Sequence, residues 1–341
     1  MEKITFGRTG LLVSRTAFGC LPMQRVSTED AGKLLRRAYE AGITLFDTAR
    51  AYSDSEEKIG IALSDVRDEI VIATKTGARI AEGFWRDLKT SLSLLKTDHI
   101  DIYQFHNPPF VPIPGGEDGL YDAALEAQRQ GLIGHIGITQ HSLARAEEAV
   151  ASGLYATLQF PLNHLATERE IALARRCEAE GVGFLAMKAL SGGLITDAAI
   201  PFVFLRDFPG VAPIWGFQFP DQLEQLIALS ANPPALDEAM KARMEADREM
   251  LTGAFCRSCG YCLPCPVGIP IYNANRMTQL ITRSPSAQFM TPAWQADMEK
   301  INDCIHCGQC EKRCPYDLKP YETMPEHLQF YRAYVREHAG K

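Results

Sequence analysis

Eight of the chain's ten cysteines fall between Cys256 and Cys314, in two tight runs. The first reads Cys256-Arg-Ser-Cys259-Gly-Tyr-Cys262-Leu-Pro-Cys265-Pro266. The second reads Cys304-Ile-His-Cys307-Gly-Gln-Cys310-Glu-Lys-Arg-Cys314-Pro315. Thiols this dense form a disulfide framework only in an oxidising compartment. The N-terminus, Met1-Glu2-Lys3-Ile4-Thr5-Phe6-Gly7, has neither the basic start nor the apolar stretch of a secretory signal. The cysteines therefore read as metal ligands in a cytoplasmic protein. Cys20 and Cys177 stand apart and read as small buried apolar residues.

The spacing narrows the metal. The second run matches C-x₂-C-x₂-C-x₃-C-P, and the first has one residue fewer before its fourth cysteine. Three thiolates two residues apart can wrap one corner of a cubane, and in two-cluster ferredoxins the fourth ligand comes from the other motif. This predicts one 4Fe-4S cluster on Cys256, Cys259, Cys262 and Cys314, and a second on Cys304, Cys307, Cys310 and Cys265. The long helical stretch between the motifs resembles an α-helical ferredoxin more than the compact β-hairpin type. A pair of zinc sites is the alternative, although zinc prefers separated C-x₂-C units. Clusters that only staple the tail are a further reading, since a short segment with little core gains from a metal anchor.

Before the cysteines, short β-rich runs alternate with helical patterns. The runs are Thr16–Gly19, Ile43–Phe46, Ile70–Thr74, Asp101–Phe105, His135–Thr139, Thr157–Phe160, Gly183–Met187 and Ala212–Trp215. A helical pattern follows each, the first over Thr28–Glu40 with Ser27 or Thr28 as N-cap. Gly42, Gly131, Gly153 and Gly181 sit at helix ends as stop signals. Eight strand–helix units predict an α/β fold, a (β/α)₈ TIM barrel, over a doubly wound sheet. Ile4–Val13 reads as a hairpin closing the barrel floor. Asn232-Pro233-Pro234 marks the domain boundary. Residues 1–232 are thus expected to form the barrel, and 233–341 a mostly helical two-cluster ferredoxin-like domain. Helical stretches there include Ile271–Thr282 and Pro292–Asn302.

Three strands end in reactive residues: Asp47 with Tyr52 beyond it, Lys75, and His106. Barrels hold their chemistry at the C-terminal mouth. Singly, each residue has a bland reading as a cap, a solvated cation or a structural histidine; together at one rim they read as a site. A tyrosine titrates near 10 and needs help to give up its proton at neutral pH. A neighbouring Lys⁺ favours the phenolate. Asp47 would hold Lys75 by an ion pair, and His106 would hydrogen-bond and orient a substrate oxygen.

Phe46-Asp47-Thr48-Ala49-Arg50-Ala51-Tyr52, followed by Glu56-Glu57-Lys58-Ile59-Gly60, resembles the aldo-keto reductase signature, and Lys75 and His106 complete that family's Asp-Tyr-Lys-His tetrad. The resemblance spans about the first 230 residues. It implies a (β/α)₈ fold, a nicotinamide cofactor, and Tyr52 as general acid or base. By the same resemblance Thr139 and Gln140 take the amide-binding positions after strand five, Gln159 and Asn163 match the family's cofactor-site Gln and following Asn, and Met187 takes the ring-stacking position. Gly216, Gln218 and Gln222 line the dinucleotide after strand eight. No Lys or Arg lies between Trp215 and Gln222 to pair with a 2′-phosphate, which leaves NADH and NADPH both open. The cysteine tail places the chain with a subgroup bearing a ferredoxin-like domain.

The formal net charge of -7 and the lack of a basic run give no support for nucleic-acid binding. No run of about eighteen apolar residues is present to span a membrane. Two functions follow. The first is an NAD(P)-dependent oxidoreductase acting on a small aldehyde, ketone, sugar or hydroxy compound, its clusters structural or serving a redox protein partner. The second is an iron–sulfur electron-transfer or redox-sensing protein on a retained barrel. Hydride carries two electrons and a cluster accepts one, so direct passage between them calls for a further cofactor.

Overall fold

In a computed structural model, which describes residues 1–251, 256–257, 259–283 and 286–338, the alternating signals become a closed barrel. Strands β1 (Lys3–Thr5) and β2 (Leu12–Ser14) form an antiparallel hairpin with Ile4 opposite Val13. Then come β3 (Ala17–Gly19), β4 (Leu45–Asp47), β5 (Val71–Thr76), β6 (Ile100–His106), β7 (Ile133–Thr139), β8 (Thr157–Pro161), β9 (Gly183–Met187) and β10 (Val211–Gly216). These eight are parallel and close in chain order, with β10 against β3. Helices α1 (Thr28–Glu40), α2 (Ser55–Leu63), α3 (Ala81–Leu95), α4 (Leu120–Arg129), α5 (Leu143–Ala151), α6 (Glu168–Ala179), α7 (Ala199–Leu205) and α8 (Pro220–Ala231) follow the strands in turn.

Local chemistry explains these elements. Ala31, Leu34, Leu35 and Ala38 of α1 repeat at three- and four-residue intervals and are buried, and the Ser27 side chain accepts from the Asp30 N–H at its start. Thr167 and Glu170 form a capping box on α6. Every residue of β5 is buried, as a strand covered on both faces requires. The hairpin closes the floor: Phe6 and Val13 pack in one cluster with Ala17, Leu45, Val71, Ile102 and Ala212. A Cβ at Gly183 would lie 2.7 Å from Phe6 Cε1, so the plug depends on that strand start having no side chain.

The C-terminal helices are α9 (Glu238–Leu251), α10 (Ile271–Ala274), α11 (Met277–Arg283), α12 (Pro292–Glu299), α13 (Gln309–Lys312) and α14 (Pro320–His338). The stretch expected as one helix from Ile271 divides at Asn275, whose side chain accepts from Thr323 Oγ1. Packing separates the chain into two units. One is Met1–Ala189 with Ala199–Met240; the other is Leu190–Ala198 with the residues from Lys241 onward. The second unit has its own buried residues, among them Ile271, Ala274, Met277, Ile281, Met298, Met324 and Leu328. Among the described residues, no helix is long and apolar enough to cross a membrane.

Candidate functional site

Parallel register brings the reactive strand ends together. Asp47 lies beside Ala73, Lys75 beside Gln104, His106 beside Thr139, and Thr139 beside Gln159. All occupy the C-terminal rim of the barrel, where side chains from neighbouring strands converge.

Asp47 and Lys75 are 3% and 1% exposed, and Lys75 Nζ donates to Asp47 Oδ1 at 2.7 Å and to the Thr48 carbonyl at 2.6 Å. Burial pushes the Asp47 carboxyl up from its ordinary range, and the Lys75 ammonium opposes this. Lys75 Nζ lies 5.3 Å from the centroid of the Tyr52 ring, and His106 meets that ring edge-on at 5.9 Å. The four tetrad side chains thus form one contiguous group. His106 lies at the mouth, and desolvation of its ring, then the Lys75 and Arg79 cations, push its pKa down to about 3. The imidazole is neutral at physiological pH and is available as a hydrogen-bond donor or acceptor.

The loop carrying Tyr52 is braced from below. Thr48 Oγ1 and Ser55 Oγ are 2.9 Å apart, and Ser55 Oγ donates to the Cys20 carbonyl at 3.0 Å. Glu56, 1% exposed, pairs with Arg50 and accepts from Thr74 and Ser91 at 2.7 Å each. Lys58 donates to the Met23 and Val26 carbonyls. The charged residues that follow the tetrad Asp and Tyr therefore position the loop.

One participant was not signalled by motif. Gln104 Nε2 donates to Gln159 Oε1 at 3.1 Å, and Gln159 Nε2 donates to Asp47 Oδ2 at 3.4 Å. Gln104 thus reaches the tetrad through Gln159 and also acts directly on the Asp47 carboxylate. Its position two residues before His106 on one strand puts both on the same face, which is the signal that finds it.

The remaining expected cofactor contacts differ in what they do here. Thr139 Oγ1 and Gln140 Nε2 are tied to the next loop, to Asn107 N at 3.0 Å and the Pro108 carbonyl at 3.0 Å. Gln140 Oε1 is buried with no hydrogen-bond partner among the described residues. An unsatisfied buried acceptor at the rim fits a ligand amide N–H, and a nicotinamide carboxamide has one. Asn163 braces the turn after β9, donating to the Lys188 carbonyl and accepting from Leu165 N at 2.8 Å each. Met187 is part-exposed at the end of β9. Gly216 is exposed at the end of β10. Gln222 Oε1 caps α8, accepting from Gln218 N at 2.8 Å and Phe219 N at 3.2 Å.

In the second unit the two cysteine runs share a turn. Gly260 and Gly308, each directly after the second cysteine of its run, have φ of +81° and +71°. This left-handed conformation favours glycine and lets the chain double back between thiols. Cys265, Cys304, Cys307 and Cys310 line one cavity with Cys262, Pro266, Ile269, Ile305 and Met324. The Cys262 thiol is pushed up to about 12 by burial and then by neighbouring Cys256, Cys259 and Cys314. Cys314 therefore neighbours the first run and Cys265 borders the second. Among the described residues no three His, Cys, Asp or Glu side chains converge as ligands of a single ion. Four-cysteine donor sets around an apolar cavity fit iron–sulfur clusters. Cys20 and Cys177 are buried and free.

The comparisons agree with both halves. The pattern of the aldo/keto reductase family matches residues 15–201, and that of a 4Fe-4S dicluster domain matches residues 255–319. Aldo-keto reductase YhdN of Bacillus subtilis is 31% identical over 58% of this chain and 64% of its own length. L-galactose dehydrogenase of Arabidopsis thaliana is 27% identical over 59% of this chain and 69% of its own. The chain spans 64% and 49% of the lengths of two of the curated relatives it matches. The holo form of aldo-keto reductase AKR11C1 from Bacillus halodurans shares the fold, with a TM-score of 0.63 at 21% identity over 72% of this chain and 96% of that one.

Proposed function

The chain belongs to the aldo/keto reductase family, and from that premise we propose that it interconverts a carbonyl and an alcohol on a small molecule, with Tyr52 moving the proton. The observation that carries the reading is the contiguous group of Tyr52, Lys75, Asp47 and His106 at the barrel mouth. When bound, NAD(H) or NADP(H) supplies or takes the hydride. Gln140 Oε1 would receive its amide N–H. Neutral His106 orients the substrate oxygen toward the Tyr52 hydroxyl. In reduction Tyr52 gives that oxygen its proton; in oxidation it takes the proton back. Lys75 favours the phenolate left behind, and Asp47 fixes Lys75. Two 4Fe-4S clusters on the crossed cysteine sets complete the proposal, in a structural or electron-transfer role.

The test is nicotinamide absorbance followed with a panel of aldehydes, ketones, sugars and hydroxy compounds. Turnover with at least one is expected. NADPH should not be preferred over NADH, because no cation lies between Trp215 and Gln222 and Gln222 is engaged as a cap. A second reading, an iron–sulfur electron-transfer or redox-sensing protein serving a redox partner, is favoured by one observation. Both ends of the Gln159 amide are already engaged inside the protein. Failure of both dinucleotides to bind or turn over decides for it.

His106 supplies a pH prediction. Its folded-state pKa lies below the ordinary value near 6.5, so the enzyme holds this imidazole neutral down to about 3. No loss of kcat/KM from its protonation is expected between about pH 5 and 7. Stability runs the other way. Below about 6.5 the unfolded chain takes up a proton that the folded chain refuses, so this group's contribution to stability falls as pH drops toward 3. A kcat/KM inflection near 6.5 that disappears in His106→Gln contradicts this assignment.

A further inference from the structure

Arg276, in the turn between α10 and α11, is 2% exposed. Its Nη2 donates to the Gly192 carbonyl at 2.9 Å. Its Nε and Nη1 are buried with no hydrogen-bond partner among the described residues. The residue makes no ion pair with any described carboxylate. A buried guanidinium with two idle donor nitrogens and no counter-ion among the described residues is an unfavourable arrangement unless an acceptor completes it. An acceptor, best an anionic one, would complete it.

The neighbourhood identifies that anion. Cys256 Sγ lies 3.7 Å from the Tyr272 carbonyl, which sets the leading cysteine of the first run against α10. Arg276 follows Tyr272 by four residues, and its own N–H closes the turn on the Asn273 carbonyl. Burial lowers the Arg276 pKa, and the Cys256 and Tyr272 side chains are the groups that act to raise it. A 4Fe-4S cluster with four thiolate ligands is a net anion whose sulfurs accept hydrogen bonds, and such bonds tune its potential.

We propose that Arg276 donates its free N–H groups to the sulfur shell of the cluster held by Cys256, Cys259, Cys262 and Cys314, neutralises part of its charge, and raises its reduction potential. This rests on the iron–sulfur reading of the cysteines. The electron added on reduction stays on the cluster and no bond breaks. The guanidinium stabilises the more negative, reduced form, and the Gly192 carbonyl fixes its orientation.

Potentiometric titration of the anaerobic full-length protein, followed by electron paramagnetic resonance, tests the proposal. Arg276→Gln is expected to shift the reduction equilibrium of one cluster at least tenfold toward the oxidised form, about 59 mV for one electron, and to leave the other unmoved. Arg276→Lys, which keeps the charge, should recover part of the shift. A merely structural arginine would not move one potential alone. A second measurement needs no variant to fold: wild-type protein labelled with ¹⁵N in its arginine side chains should show ¹⁵N hyperfine coupling to one reduced cluster, and Arg276→Lys should lack it. Absence of that coupling in the wild type, or unchanged potentials in a fully loaded Arg276→Gln protein, overturns the proposal. A wild-type preparation without iron overturns the cluster reading itself, which separates the two failures.

Discussion

Tyr52→Phe is expected to lower kcat for carbonyl reduction by about 10²–10⁴-fold, roughly 3–5 kcal/mol of barrier, with dinucleotide affinity unchanged. The substitution removes one hydroxyl and keeps the ring, so the 5.9 Å edge contact with His106 and the position over Lys75 remain. No other tetrad change isolates chemistry so cleanly. Lys75→Met leaves Asp47 as a buried carboxylate without its partner, and breaking such a pair costs about 3–5 kcal/mol of stability. Its loss of activity would mix chemistry with unfolding. Steady-state kinetics of Tyr52→Phe, with dinucleotide titration and a thermal melt as controls, decides the matter. Full activity in a folded variant removes Tyr52 from the mechanism.

The second large effect concerns the cysteines. The crossed arrangement predicts that Cys314→Ser damages the same cluster as Cys256→Ser, although the two positions stand in different cysteine runs. Likewise Cys265→Ser should resemble Cys304→Ser. Each serine variant is expected to fall from about eight iron atoms per chain to about four, with one of two resonance signals lost. If Cys314→Ser instead matches Cys304→Ser, the ligands are grouped by run and the crossing is wrong. Because ligand thiolates anchor a unit of short helices, each variant should also melt at lower temperature.

Much of the barrel is legible in the chain because its strands are short, covered on both faces and separated by amphipathic helices with evident caps. Ser27, Thr167 and the glycines after the helices act locally, and local signals survive in a linear sequence. Asp47, Lys75 and His106 were found because each ends a strand, and parallel register carries strand ends to one rim. Gln104 was harder, since nothing in its neighbours marks it; its meaning comes from Gln159 and Asp47 on other strands. The break at Asn275 is equally invisible, because the partner its side chain meets there, Thr323, lies far along the chain. Helix α14 contains Pro325, which lies in its second turn and is accommodated there. Arg276 looks like any helical arginine until its burial is known.

Nine residues between β9 and α7, Leu190–Ala198, belong by their packing to the C-terminal unit, although barrel strands and helices flank them in the chain. This makes the tail something other than a cassette. A gene fusion that appended only the cysteine-bearing segment to an ordinary barrel would lack the piece that carries the Gly192 carbonyl, and a truncation after Met240 would leave that piece behind. The clusters and the seventh barrel loop are thus expected to vary together. Relatives that carry the tail should carry a matching loop, and relatives without it should be free to vary there.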